Sequence, residues 1–275
     1  MKSISILKHK RRWMAPVITL MSLCSCAPQE PGSHLVAQSR SIIGGNLVTE
    51  DSEIASSAVV INIDHGKSMC SGTLIGDHLV LTAAHCVLEA ESLHLYFGNV
   101  LVDLKGATPF QNYRAEASVE KVVVHENYSI QHYRGLNDIA LITFKQSLPQ
   151  GLKPAALAPS SLSHDNALLS KTALVAGFGL TKDTRKPTGS QNLSQVELKI
   201  NLFEKNSIVE LIKPEFKTQA VCSGDSGGPA YLSIDGKLYL WGVNSRGDCE
   251  KYSYITLASD FQDWISEKSR ELEIK

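Results

Sequence analysis

From residue 42 onward, short runs of apolar and β-branched residues alternate with turn residues. Examples are Ala58–Ile63, Cys70–Ile75, His78–Thr82, Leu93–Phe97, Val119–His125, Ile139–Phe144, Thr172–Ala176, Leu193–Ile200, Pro229–Ser233 and Leu238–Val243. Runs this short, bounded by Gly, Asn, Asp and Ser, read as strands, and many of them in succession predict an all-β sandwich or barrel. No strand–helix–strand repetition interrupts them, which argues against a parallel α/β sheet. One helix is expected at the end of the chain. Ser259 followed by Gln262 has the spacing of a capping box, and Phe261, Trp264, Ile265 and Leu272 then share one helical face. That stripe is expected to pack on the core rather than to hold a ligand. A second short helix is expected over Glu204 to Lys213.

The first 41 residues have a different character. Lys2, Lys8, Lys10, Arg11 and Arg12 make a basic start, and Trp13 to Leu23 is apolar and uncharged. That run is too short for a mature membrane span and reads as the core of a secretory signal, with residues 1–25 as the signal peptide. It ends in Leu23-Cys24-Ser25-Cys26, which resembles the lipobox of bacterial lipoproteins. The resemblance implies that Cys26 is the first mature residue and carries lipid. Cys24 fits less well because Leu23 directly precedes it, and a plain secretory signal cut nearby is the alternative. The Arg11-Arg12 pair raises a twin-arginine signal, which the surrounding residues fit poorly. Residues 26–41 are polar, contain Pro28 and Pro31, and read as a tether or pro-segment without a core of its own.

Composition narrows the function classes. The 275 residues are 43% hydrophobic and 20% charged, enough apolar material for a sizeable core in one or two domains. A formal net charge of −1 gives no support for nucleic acid or a strongly charged partner. With Cys24 and Cys26 set aside, Cys70, Cys86, Cys222 and Cys249 remain. In an exported protein this even set implies disulfides, and the count alone leaves three pairings open. No CxxC pair is present, which argues against a zinc site; no metal or organic cofactor is implied by the sequence.

The chemistry lies in three local motifs: Leu81-Thr82-Ala83-Ala84-His85-Cys86, Asn137-Asp138-Ile139-Ala140-Leu141 and Gly224-Asp225-Ser226-Gly227-Gly228-Pro229. Together, in the order histidine, aspartate, serine, they resemble the trypsin–chymotrypsin family of serine proteases, over residues 42 to about 268. The order separates this pattern from subtilisins and α/β-hydrolases. The resemblance implies two packed six-stranded antiparallel β-barrels, over about 42–155 and 156–258, with a C-terminal α-helix over about 259–272. It also implies a catalytic triad. A serine hydroxyl is a weak nucleophile at neutral pH, so Ser226 needs His85 to take its proton and later return one to the leaving amine. Asp138 would hold the imidazole tautomer and stabilise its cation. The N–H groups of Gly224 and Ser226 would form the oxyanion hole, where one donor is typically worth about 3 kcal/mol. The other histidines, His65, His78, His94, His125, His132 and His164, are read as ordinary surface or core residues.

Further expectations follow from the same resemblance. Cys70 would pair with Cys86, and Cys222 with Cys249, bracing the specificity pocket. Ile42-Ile43-Gly44-Gly45 matches the new N-terminus that family members acquire on cleavage, whose α-amino group would pair with Asp225. A buried carboxylate left alone costs about 3–5 kcal/mol, so the pairing would drive activation. The departure is Arg40-Ser41 before Ile42, where family zymogens usually carry a basic residue directly. An activating protease therefore cuts after Ser41, or a trimming step follows a cut after Arg40. Such a cut would also free the domain from a lipid tether at Cys26. The pocket residues are Ala220, Val221, Ser245 and Gly247. Neither Ala220 nor Val221 can neutralise a cation, so cleavage after small or apolar residues is expected, and not after Lys or Arg. Arg246 stands where the family usually has an aromatic; it either reads an acidic group or, as the simpler reading, points to solvent. The partners expected are protein or peptide substrates, an activating protease, and a membrane through Cys26 before activation. The protein is expected to act as a monomer, in the bacterial cell envelope or secreted.

Overall fold

The computed structural model describes residues 39–40, 42–103, 109–129, 136–180, 191–213 and 218–273. The segment expected as signal peptide, the expected lipidation residue Cys26, most of the expected tether and His132 lie outside the described residues. No helix among the described residues is long and apolar enough to cross a membrane.

Two closed antiparallel barrels make up the fold. The first is built from β1 (Ala58–Ile63), β2 (Ser68–Gly76), β3 (Leu79–Thr82), β4 (Leu93–Phe97), β5 (Ala115–Val124) and β6 (Ala140–Phe144). Around the barrel they follow the order β1-β2-β3-β6-β5-β4, and β4 closes on β1. The second contains β7 (Thr172–Gly177), β8 (Ser194–Phe203), β9 (Ile208–Ile212), β10 (Pro229–Ile234), β11 (Lys237–Gly247) and β12 (Tyr252–Leu257). Their order is β7-β8-β9-β12-β11-β10, closing on β7 through Leu174–Tyr231 and Val175–Ala230. The two barrels thus repeat one connectivity. Closure leaves each strand paired on both sides, so the ladder donors and acceptors are satisfied within the barrel.

Alternation along the strands places the cores. In β8, Val196, Leu198 and Ile200 are buried while Glu197, Lys199 and Asn201 face outward, as a half-buried strand requires. They join Val175, Val209, Leu211, Trp241 and Ile255 in the second barrel. The first barrel is filled by residues such as Ile61, Leu81, Leu95 and Leu141, with Phe97 and Phe144 at 5.0 Å between ring centres. Fully burying each such side chain contributes roughly 1.5–3 kcal/mol.

Two elements depart from the expectations. The segment expected as a helix over Glu204 to Lys213 contains strand β9. Asn206 and Ser207 lie at φ 63° and 62°, a tight reversal that turns β8 back into β9. The Glu204 N–H then donates to Ile208 O at 2.7 Å. Five residues with cross-strand partners on both sides outcompete a helix of that length. The terminal helix is present, but it begins as a 3-10 turn at Ala258–Phe261 and continues as α-helix over Gln262–Glu273. The capping box is not made. Ser259 Oγ instead accepts from Ser163 Oγ, and the Gln262 side-chain amide donates to the Ala158 carbonyl. Phe261 and Ile265 join the first barrel's core, and Trp264 Nε1 donates to Glu126 at 2.8 Å. The chain therefore leaves the second barrel and returns to brace the first.

Candidate active site

The site forms where loops of the two barrels meet. His85 lies on the 3-10 turn Ala84–Cys86 that follows β3, and Asp138 lies just before β6. Asn137, at φ 54°, makes the sharp bend that aims Asp138 inward. His85 Nδ1 and Asp138 Oδ2 are 2.8 Å apart, and the His85 backbone N–H donates to Asp138 Oδ1 at 3.0 Å. The Asp138 side chain is 3% exposed and that of His85 is 32% exposed, so the carboxylate is sealed while the ring reaches the cleft. From the second barrel, Ser245 Oγ on β11 donates to Asp138 Oδ2 at 2.6 Å. Charge-assisted contacts on both oxygens satisfy the buried carboxylate.

Ser226 belongs to the loop that leads into β10. Its carbonyl accepts from the Ser71 N–H of β2 at 2.8 Å, so the first barrel grips the loop directly. Ser71 Oγ donates to the Gly224 carbonyl at 2.8 Å and accepts from the Phe178 N–H at 3.1 Å. The Asp225 N–H donates to the Cys222 carbonyl at 3.0 Å. The peptide between Gly224 and Asp225 is therefore held at both its oxygen and its hydrogen. Gly224 has φ +93°, and a Cβ there would sit 2.8 Å from the Met69 side chain and 2.9 Å from the Gly179 backbone. Close approach is also the reason for Gly227, where a Cβ would meet Thr82 Oγ1 at 2.1 Å.

His85, Asp138 and Ser226 line one cavity of about 340 Å³, together with Tyr128, Val221 and Arg246. Burial, and then the neighbouring Asp138 charge, push the Tyr128 hydroxyl up to about 12, so this wall stays neutral. Val221, Ser245 and Gly247 of the expected pocket all line the cavity. Ala220 does not. It is fully buried, and its backbone pairs with Ile43 in an isolated antiparallel bridge. The two pocket walls lie close together, since a Cβ on Gly247 would be 2.5 Å from Val221 O and 2.7 Å from Val221 Cγ2. Disulfides join Cys70 to Cys86 behind the histidine, and Cys222 to Cys249 across the walls. Each crosslink of this loop length contributes about 2–4 kcal/mol.

Arg246 does not extend freely into solvent. It is half-buried, with its guanidinium carbon 4.3 Å from the centre of the Tyr254 ring on the neighbouring strand. The other described histidines lie away from the cavity lining. His125 packs between Phe261 and Trp264, His164 pairs with Asp260, His78 meets Phe144, His94 lies on Tyr96, and His65 is exposed. Among the described residues, Cys70, His85 and Cys86 form the one cluster with metal-donor atoms close enough together. The bond between its cysteines removes the thiolates that a metal would need.

Asp225 occupies a separate, fully buried position. Its Oδ1 accepts from the Gly179 N–H at 2.7 Å and its Oδ2 from the Cys222 N–H at 2.9 Å. Burial outweighs these two donors and pushes the carboxyl up from 3.8 to about 7. Ile42 is buried at 0% exposure among the second barrel's apolar residues, yet its φ is +57°. The left-handed region is strained for a β-branched residue, by about 1–2 kcal/mol.

Sequence comparison places these residues among relatives. Residues 42–265 match the family described as Trypsin. Vitamin K-dependent protein C of Rattus norvegicus is 28% identical over 218 residues, covering 72% of this chain and 46% of its own. The protein of the same name from Oryctolagus cuniculus is 28% identical over 237 residues, covering 78% of this chain and 50% of its own. The chain spans about half the length of the curated relatives it matches. With the family match running through both barrels and into the terminal helix, this chain belongs to the trypsin family.

Proposed function

We propose that this protein is a serine endopeptidase that hydrolyses peptide bonds through an acyl-enzyme on Ser226. The observation that carries the reading is the convergence of Ser226 from one barrel with the paired His85 and Asp138 of the other on a single cleft. Ser226 Oγ attacks the scissile carbonyl while His85 Nε2 takes its proton. Asp138 keeps the proton of the resting imidazole on Nδ1 and stabilises the cation that forms. The Gly224 and Ser226 N–H groups take the developing oxyanion. His85 then protonates the leaving amine as the C–N bond breaks, and water completes the cycle by the same steps in reverse.

The residue before the scissile bond is small or modestly apolar. No carboxylate among the cavity's described lining residues faces that pocket to hold a lysine or arginine, because Asp138 is committed to His85 and Ser245. The approach of Gly247 to Val221 supports a narrow slot rather than one for an aromatic ring. Activation by a cut before Ile42 is part of the same reading. Removing the preceding carbonyl relieves the strain at φ +57°, and the new amino group supplies the cation that Asp225 lacks. Export with lipid on Cys26, and release of the domain by that cut, complete the proposal.

The test compares protein beginning at Ile42 with its Ser226→Ala and His85→Ala variants on a peptide library. The reading expects cleavage after Ala, Val or similar residues, reduced by about 10⁴-fold or more in either variant. Equal cleavage by Ser226→Ala would sink it.

A further inference from the structure

We infer that Asn244 is a positioning residue of the oxyanion hole, acting on the Ser226 N–H through the far end of its peptide group. The inference rests on the endopeptidase reading and assigns a further residue of that same site. Asn244 lies on β11 directly before Ser245, whose hydroxyl holds Asp138. It is fully buried. Its Nδ2 donates to the Asp225 carbonyl at 3.2 Å and to the Ala176 carbonyl of β7 at 3.1 Å. Two successive residues of β11 thus serve the two halves of the catalytic apparatus.

The geometry of a trans peptide gives the contact its meaning. The Asp225 carbonyl and the Ser226 N–H belong to one planar group and point in opposite directions. Asp225 O also accepts from the Gly228 N–H at 3.0 Å. Two donors therefore fix the oxygen end of the group, and so aim its hydrogen end. A donor on the carbonyl also leaves the N–H more positive, the mutual strengthening expected of hydrogen bonds in series. The peptide of the Gly224 N–H is held differently, by the Leu180 N–H on Ser223 O at 2.7 Å. Substituting Asn244 thus addresses the Ser226 donor and leaves the Gly224 donor in place.

The surroundings keep the amide where it is. The Asn244 N–H donates to Gly228 O at 2.8 Å, and its carbonyl accepts from the Gly227 N–H at 2.7 Å. This laces β11 to the loop directly after Ser226. The side-chain amide cannot turn over, because its oxygen would then face the Ala176 and Asp225 carbonyls. As it stands, Oδ1 accepts no hydrogen bond among the described residues. A buried acceptor left alone costs stability. Leucine, with the same branching of heavy atoms, would carry no such cost. What leucine lacks is the donor to Asp225, and that is the contact the oxyanion hole uses.

The test uses protein beginning at Ile42, with Asn244→Leu and the smaller Asn244→Val as variants. Each is measured on a cleavable peptide and on two inhibitors. One inhibitor is a peptidyl trifluoromethyl ketone. Ser226 Oγ bonds to its carbonyl carbon, the serine proton passes to His85, and the carbonyl π pair becomes the charge that the Gly224 and Ser226 N–H groups hold. The other has CH2 in place of that carbonyl and forms no oxyanion. Both variants should lower kcat about tenfold, less than loss of a direct donor would, and weaken the ketone by a similar factor. KM and the affinity of the CH2 analogue should stay within about twofold. A folded variant with wild-type kcat and ketone affinity overturns the assignment and leaves the endopeptidase reading intact. Equal weakening of both inhibitors overturns it too, since the whole cleft has then been disturbed. Failure of both variants to fold makes Asn244 a residue of the fold alone, and likewise overturns it. Wild-type protein that neither cleaves the peptide nor binds the ketone removes the endopeptidase reading itself.

Discussion

The buried carboxylate of Asp225 makes a quantitative prediction about the chain before and after a cut at Ile42. In the uncut chain Asp225 has two backbone donors, and its carboxyl is pushed from 3.8 up to about 7. At 1.36 kcal/mol per pH unit, that difference corresponds to about 4 kcal/mol. The sign follows from linkage. Between these two values the folded chain holds a proton that the unfolded chain has released, so stability falls as pH rises. The stability from the neutral carboxyl is fully present below pH 3.8, is lost as pH rises to about 7, and changes no further above it. Unfolding by urea, with disulfides intact and in a Ser226→Ala background, measures this directly. Uncut protein should lose about 4 kcal/mol between pH 4 and pH 8 relative to its Asp225→Asn variant. Protein beginning at Ile42 should lose far less, because the new amino group keeps the carboxylate charged and paired. Identical pH profiles for the cut and uncut proteins would refute the pairing of Ile42 with Asp225.

Other perturbations probe the two loops that build the cleft. Ser71→Ala removes the hydroxyl that bridges Gly224 O and the Phe178 N–H. It should lower kcat by about tenfold with little change in KM, and stability by about 1–3 kcal/mol. Steady-state kinetics alongside urea unfolding separate the two effects. Val221→Gly removes the Cγ2 on the side of the slot facing Gly247, while the Val221 carbonyl stays, and should shift the preferred residue from alanine toward a larger one such as leucine in library profiling. Gly227→Ala must place a Cβ 2.1 Å from Thr82 Oγ1 at a backbone φ of +80°. Thermal unfolding should register a loss of more than about 3 kcal/mol, or no folded protein at all.

The parts of the fold legible in the sequence share a physical cause. Runs such as Ala58–Ile63 and Leu93–Phe97 are β-branched and bounded by turns, and the structure gives them those same limits. The two barrel strands not recognised, Ile208–Ile212 and Tyr252–Leu257, pair with each other. Ile208–Ile212 has too few residues to tell period two from a helical turn, and its fate was decided by Asn206 and Ser207 reversing the chain. The cap expected at Ser259 failed because Ser163 and Ala158, about a hundred residues away, offered its side chains better partners. The site follows the same division. His85, Asp138 and Ser226 sit in compact local motifs. Ser71, Met69 and Tyr128 carry no such signal, and they matter only because closure of two barrels brings them to the loops. Arg246 was visible as a departure, but the Tyr254 platform beneath it was not.

A fluorophosphonate that reacts with activated serines addresses the central claim most directly. Protein beginning at Ile42 should take up one equivalent, with the adduct mass mapped to the peptide containing Ser226, and His85→Ala should lose that labelling. A correctly folded protein that stays unlabelled, or that carries the adduct on another residue, would contradict the account.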